Sequence, residues 1–104
     1  MSRYIVKGKN GDEEVIGEEF TIDGVEHKFI VHAAIGGYYK FSTTHLETGF
    51  KLSNGDTIDE AIANGIERWL SRSPDEHERA ISKARADLVK RDARLAEDQK
   101  GGEK

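Results

Sequence analysis

The sequence predicts an α+β domain: an antiparallel meander of about four to five strands, then two helices. Three observations carry this. Short strand-forming segments are punctuated by Asn10-Gly11, Asp23-Gly24 and Gly36-Gly37 up to Gly55. From Thr57 to Leu70 the apolar spacing changes to a helical period. After Ser73-Pro74 comes a long, highly charged segment with helix-forming composition.

The first strand pair centres on Tyr4, Ile5 and Val6. Asn10-Gly11 suits a tight turn that sets Lys9 opposite Asp12 and Lys7 opposite Glu14, two charge-matched pairs. Gly17 interrupts the returning strand, where a bulge or bend is expected. Asp23-Gly24 then pairs Ile22 with Val25 and Phe20 with His27, and the third strand runs from Val25 to Ala33. The next connection admits two registers. A loop of Ile35-Gly36-Gly37 keeps Phe41 on the apolar face, opposite Val31, with Ala33 opposite Tyr39 and His27 opposite His45. Leu46-Glu47-Thr48-Gly49 turns the chain again, pairing His45 with Phe50 and Thr43 with Leu52. The turns agree on one inner face of Phe20, Ile22, Val25, Phe29, Val31, Tyr39, Phe41, Phe50 and Leu52.

Thr57-Ile58-Asp59-Glu60 is a capping box, and Ile58, Ile62, Ile66 and Trp69, with Leu70 beside them, form the apolar stripe of the first helix. Gly65 near this stripe would let the helix backbone approach a sheet closely. Ser73, Pro74 and Glu76 open the second helix in the same way. It should end between Arg91 and Glu97, its thin stripe of Ile81, Ala84, Leu88 and Leu95 broken by Arg91. Residues 1–97 make one domain and 98–104 a flexible tail.

Composition narrows the function classes. The chain has 104 residues, a formal charge of −4 and no cysteine, so disulfides, thiol chemistry and cysteine-based zinc sites are excluded. The mild negative charge does not make nucleic acid a default partner. No segment is apolar and long enough to span a bilayer, and Met1-Ser2-Arg3-Tyr4 lacks a signal-peptide run, so a cytoplasmic location without membrane association is expected.

Candidate chemistry is sparse. His27 and His45 would face each other, yet neither acid nor thiol accompanies them, and a hydrogen-bonded histidine pair is the simpler expectation than a metal site. Ser42, Thr43, Thr44 and His45 adjoin in sequence, but neighbours on a strand point to opposite faces, so they compose no nucleophile and base. No metal, cofactor or catalytic residue is assigned, and a non-enzymatic protein is expected. The outer sheet face gathers Lys28, Ile30, His32, Tyr38, Lys40, Thr44 and Lys51, apolar groups among lysines that would suit a protein partner. On the second helix Arg79, Lys83, Lys90 and Arg94 share a narrow stripe that could bind phosphates. Glu76 and Asp87 lie in it too, with Lys83–Asp87 and Asp87–Arg91 spaced as salt bridges. Pairing of two copies through Ile81, Ala84 and Leu88 is a third possibility.

The segment Tyr39–Ala61, with Thr44-His45-x-x-Thr48-Gly49 followed by Thr57-x-x-Glu60-Ala61-Ile62, resembles small accessory proteins of bacteriophages and prophages. Its Gly55-Asp56-Thr57-x-x-Glu60-Ala61-Ile62 part is similar to the HicB-type antitoxin domain. The phage resemblance implies a modulator or inhibitor of a host factor, such as an anti-CRISPR or other counter-defence protein acting in the host cytoplasm. The antitoxin resemblance implies a nucleic-acid-binding regulator. The favoured expectation is a protein-binding module, with nucleic-acid binding and a homodimer as the alternatives.

Overall fold

The computed structural model describes residues 1–34 and 39–102, with side chains as far as Glu97. Five antiparallel strands lie in chain order: β1 (Ser2–Gly8), β2 (Gly11–Thr21), β3 (Lys28–Ala33), β4 (Phe41–His45) and β5 (Lys51–Gly55). Helices α1 (Ile58–Leu70) and α2 (Pro74–Gly102) follow. This is the α+β meander that the turn spacing and helical periodicity predict.

The registers of the first three connections differ from expectation, each by two residues. Lys7 faces Asp12, Phe20 faces Phe29, and Val31 faces Thr43. In the first hairpin Gly8 pairs with Gly11, whose φ is +137°, and the turn is Lys9-Asn10. A side chain on Gly8 would meet the Gly11 carbonyl, so this close glycine pair takes the position the charge-matched register would need. In the second connection the Ile22–Val25 turn forms as expected, with Val25 N–H donating to the Ile22 carbonyl at 2.9 Å. The chain then stays out of the sheet until Lys28, which stacks Phe20 on Phe29 with ring centroids 5.6 Å apart. In the third, Ala34 N–H bonds to the Lys40 carbonyl at 2.9 Å, so the connection is longer than Ile35-Gly36-Gly37. Ile35–Tyr38 themselves lie outside the described residues.

At the fourth turn the His45–Phe50 pairing holds, with a backbone bond of 2.7 Å. Beyond it the ladder slips between Thr43 and Thr44, so Thr43 faces Ser53 instead of Leu52. The irregularity lets adjacent residues both turn inward. Leu52 joins Phe29, Ile22 and Trp69 in the core, while Ser53 hydrogen-bonds Thr43 at 2.5 Å and donates to the Ala61 carbonyl at 2.8 Å. Gly17 shows no bulge. It pairs with His32 in continuous register, in a place where a side chain would strike the Val31 carbonyl.

Since a slip of two residues preserves the face, the inner face is largely as expected. Phe20, Ile22, Val25, Phe29, Phe50 and Leu52 gather around Trp69, and Val31 is buried. Phe41 is half-buried, and Tyr39 is the exception at 52 % exposed.

Helix α1 covers this face. Thr57 caps it as predicted, its hydroxyl accepting from Glu60 N–H at 3.1 Å. The line pressed deepest is Ala61, Gly65 and Trp69, with Ile58, Ile62 and Ile66 half-buried beside it and Leu70 left 66 % exposed. The helix is thus rotated from the expected isoleucine stripe, because small residues let its backbone settle onto Thr43, Ser53 and Leu52. A Cβ on Gly65 would lie 3.1–3.2 Å from these three side chains.

The other sheet face is also closed. Ile30 is fully buried, and His32 and Thr44 nearly so. The main chain of Lys7 lies directly against Gly49 (φ +77°) in the β4–β5 turn. A flat sheet of this size would hold β1 and β5 about 19 Å apart, so the sheet is strongly curled. The β1–β2 hairpin folds across the back of β3 and β4, with Val6 buried on its inner side.

Helix α2 begins at the predicted Ser73 cap, whose hydroxyl accepts from Glu76 N–H at 3.3 Å. It continues to Gly102, past the expected stop, since nothing from Arg91 to Lys100 interrupts helix propensity. Its inward residues are His77, Ile81, Ala84, Leu88, Arg91 and Leu95, at alternating spacings of four and three. Arg91 therefore continues the stripe instead of breaking it. The face expected to pair two copies is turned toward the protein's own body, with Ile81 buried.

Replacing Trp69 with Ala should cost about 3–5 kcal/mol, because the indole touches Phe29, His27 and His77. Gly65→Val should cost about 1–3 kcal/mol from crowding, although helix propensity alone would favour valine slightly. Urea titrations of both variants measure these costs, and an unchanged midpoint for either would contradict the packing.

Candidate functional site

Three features could carry function: the expected lysine-rich sheet face, a histidine cluster around Trp69, and a cleft beside α2. The first does not exist as an open surface. Ile30 is covered by the folded-back hairpin. His32 donates Nδ1–H to the Ala33 carbonyl at 2.8 Å and accepts the Thr44 hydroxyl at Nε2, also 2.8 Å, the tautomer being set because a carbonyl can only accept. Lys28, Lys40 and Lys51 are exposed, Lys28 pairing with Glu19 at 3.7 Å. Tyr38 lies outside the described residues.

The histidine cluster is built from three elements. His45 Nε2 is 3.0 Å from His27 Nδ1, and its Nδ1 is 2.7 Å from the Thr48 hydroxyl. The expected histidine pair is thus formed, although Phe29 and not His27 is the strand partner of His45. His77 stacks on Trp69 at 3.8 Å and donates to the Trp69 carbonyl at 2.7 Å, which caps the C-terminus of α1. Burial drives the His45 pKa down to about 4, with His27 adding to the shift. No three metal-ligating side chains converge among the described residues. The hydroxyl–imidazole pairs Thr44–His32 and Thr48–His45 are both buried, beyond the reach of a substrate. This cluster holds α1, α2 and the β4–β5 turn together.

The cleft is different in kind. It encloses about 600 Å³ between α2, the tip of the first hairpin and the β4–β5 turn. Its apolar lining is Phe50, Ala84 and Leu88, and its cations are Lys7, Lys9, Lys90, Arg91 and Arg94, against one carboxylate, Asp87. Arg91 builds it. Only 9 % exposed, it donates to the Gly8 carbonyl and pairs with Asp12 and Asp92, each at 2.9 Å. Asp12 also takes Lys7 at 3.3 Å, and these partners hold its carboxyl below the usual range, the Arg91 hydrogen bond most of all. Arg94 donates through Nη2 to the Lys9 carbonyl at 2.7 Å, which pins its guanidinium at the rim. On the far side Arg85 grips Glu47 through two bonds of 2.6 and 2.9 Å. Among the described residues Lys9, Lys90 and Arg94 have no carboxylate partner, and all three are exposed on the cleft lining.

The four basic residues expected to act together are therefore divided. Arg79 to Arg94 spans about 22 Å of helix. Lys90 and Arg94 border the cleft, whereas Lys83 is exposed elsewhere and Arg79 sits near Asp75 and Glu78. Among the described residues Asp87 forms neither expected salt bridge, and Arg91 turns inward to Asp12 instead. Lys7, Lys9 and Phe50 were not legible as members of this site. The one available signal was a cation, Arg91, in an apolar stripe, which implies an acid elsewhere without naming it.

No family model matches this chain, and neither do any curated proteins or solved structures. No helix is long and apolar enough to cross a membrane.

The burial of His45 gives stability a definite pH dependence. Between its ordinary value near 6.5 and about 4 the unfolded chain binds a proton that the folded chain refuses. The His45 contribution to stability should therefore fall as pH drops through this window and level off below it, with His32, also shifted down by burial, acting in the same sense. His27, Glu47 and Arg85 are the charged or titrating groups that act on His45. Urea midpoints from pH 7.5 to 4 should show this slope, reduced in His45→Asn. An equal slope in that variant would refute the assignment.

Proposed function

We propose that the protein is a non-enzymatic binding module that captures a protein partner through the cleft beside α2. The observation that carries this reading is the concentration of charge. In a chain of net charge −4, Lys9, Lys90 and Arg94 border one apolar floor without a carboxylate partner among the described residues, beside Lys7 and Arg91, which Asp12 and Asp92 neutralise. Cations beside an apolar centre are the arrangement in which charge sets encounter and register while the apolar contact slows release. The resemblance to small phage proteins fits a module of this kind, one that modulates or inhibits a host factor by occupying its acidic surface.

Nucleic-acid binding is the second reading, and the position of Lys90 and Arg94 on the rim favours it. A steep loss of affinity with salt would accompany phosphate contacts in that case.

The test is capture from nuclease-treated bacterial lysate followed by binding to the purified partner. Lys90→Glu with Arg94→Glu should lower affinity at least about tenfold, since each reversal replaces attraction by repulsion. Lys28→Glu with Lys51→Glu, away from the cleft, should leave it within about twofold. The reverse pattern would refute the reading.

A further inference from the structure

We propose that the cleft recognises a short peptide segment in which acidic residues adjoin one apolar side chain. This rests on the reading of the cleft as the binding surface and specifies what occupies it.

The apolar and charged parts of the cleft lie side by side. Phe50, Ala84 and Leu88, all half-buried, form the floor. Lys9, Lys90 and Arg94 stand exposed beside it, with Arg94 bonded to the Lys9 carbonyl. A volume of about 600 Å³ is ample for one large apolar side chain with its neighbouring residues, and too small for a folded domain. The cations then meet carboxylates next to the anchor. Arg94 is the best placed, because its bond to the Lys9 carbonyl uses one of five N–H donors and fixes the others in position.

The same surroundings argue against a polyphosphate. Phosphate sites commonly use backbone N–H groups or a helix N-terminus. Here the hairpin turns carbonyls toward the helix, with those of Gly8 and Lys9 accepting from Arg91 and Arg94. The helix contributes Ala84 to Arg94, far from its start at Pro74. Just beyond the hairpin tip, Asp12, Glu13 and Glu14 are exposed and would repel a backbone that ran on past the rim. A peptide can place its few carboxylates where the cations are and stop.

Fluorescence anisotropy on the intact protein decides this with defined probes. The first is a labelled peptide with two glutamates on each side of a leucine. The second replaces that leucine with serine, and the third is a ten-nucleotide oligothymidine. The leucine peptide should bind saturably, weaken about fivefold or more without its leucine, and weaken about tenfold or more on Lys90→Glu with Arg94→Glu. Lys83→Glu, outside the cleft, should change little. Circular dichroism and the urea midpoint establish that each variant is folded. Oligothymidine binding that depends on Lys90 and Arg94, with no peptide binding, overturns the peptide class but keeps an anion-binding cleft. Absence of saturable binding by all probes at about 1 mM overturns the inference, as does peptide binding indifferent to the leucine; partner capture unaffected by the cleft variants overturns the underlying reading as well.

Discussion

The contact between the main chain of Lys7 and Gly49 is the constraint on which the rest of this structure depends. It brings an edge strand of the sheet against the turn at the opposite side, a place where any side chain would collide and where φ is +77°. Once that contact is made, the back of β3 and β4 is sealed, and Ile30, Thr44 and His32 become interior. It also sets the hairpin tip beside α2, so Arg91 can reach both Gly8 and Asp12. The cleft is the gap left between these three parts.

How much of this was legible in the sequence follows from the period of a strand. Strand order, helix starts and most of the inner face depend on alternation and capping, which local sequence carries. Three registers were displaced by two residues, and the inner face survived because such a slip leaves each side chain on its own side. What fixed the true registers was not local: the glycine pair at Gly8 and Gly11, the stacking of Phe20 on Phe29, and a longer chain between Ala34 and Lys40. The curl of the sheet was invisible for the same reason. Alternation distinguishes two faces but does not say that both will be covered, so Ile30 and His32 read as an exposed surface when they are core. The cleft was half legible, through Lys90 and Arg94 on one helix, while Lys7, Lys9 and Phe50 come from segments far away in sequence.

Polar groups do unusual work in this interior. Thr43, Ser53 and the Ala61 carbonyl make a hydrogen-bonded chain directly beneath Gly65, and Ser42 and Asn64 both bond to Asn54 nearby. Among the described residues no buried side-chain nitrogen or oxygen lacks a partner. Larger apolar residues at Thr43 and Ser53 would have raised the burial available to the sheet but pushed α1 away. The hydroxyls keep the helix close, and each contributes only about 1 kcal/mol when paired, against a larger penalty if its partner is lost. Packing at this junction is therefore specific in a way that a purely aliphatic seam would not be.

The bonds from Arg91 to Gly8 and from Arg94 to Lys9 join residues 83 and 85 positions apart. On a ribosome the hairpin emerges well before the helix that clamps it. Through most of synthesis the free edge of β1 and the apolar back of β3 have only each other to cover them, without the clamp that holds them in register. Contacts of such long range are the slow ones to form, and unpaired edges beside apolar surface are where nascent chains associate wrongly. The exposed charges of β2, Asp12 through Glu19, lie on the strand next to that edge. Charge beside an open edge disfavours pairing with another strand, and that applies to a partly made chain as much as to the finished one.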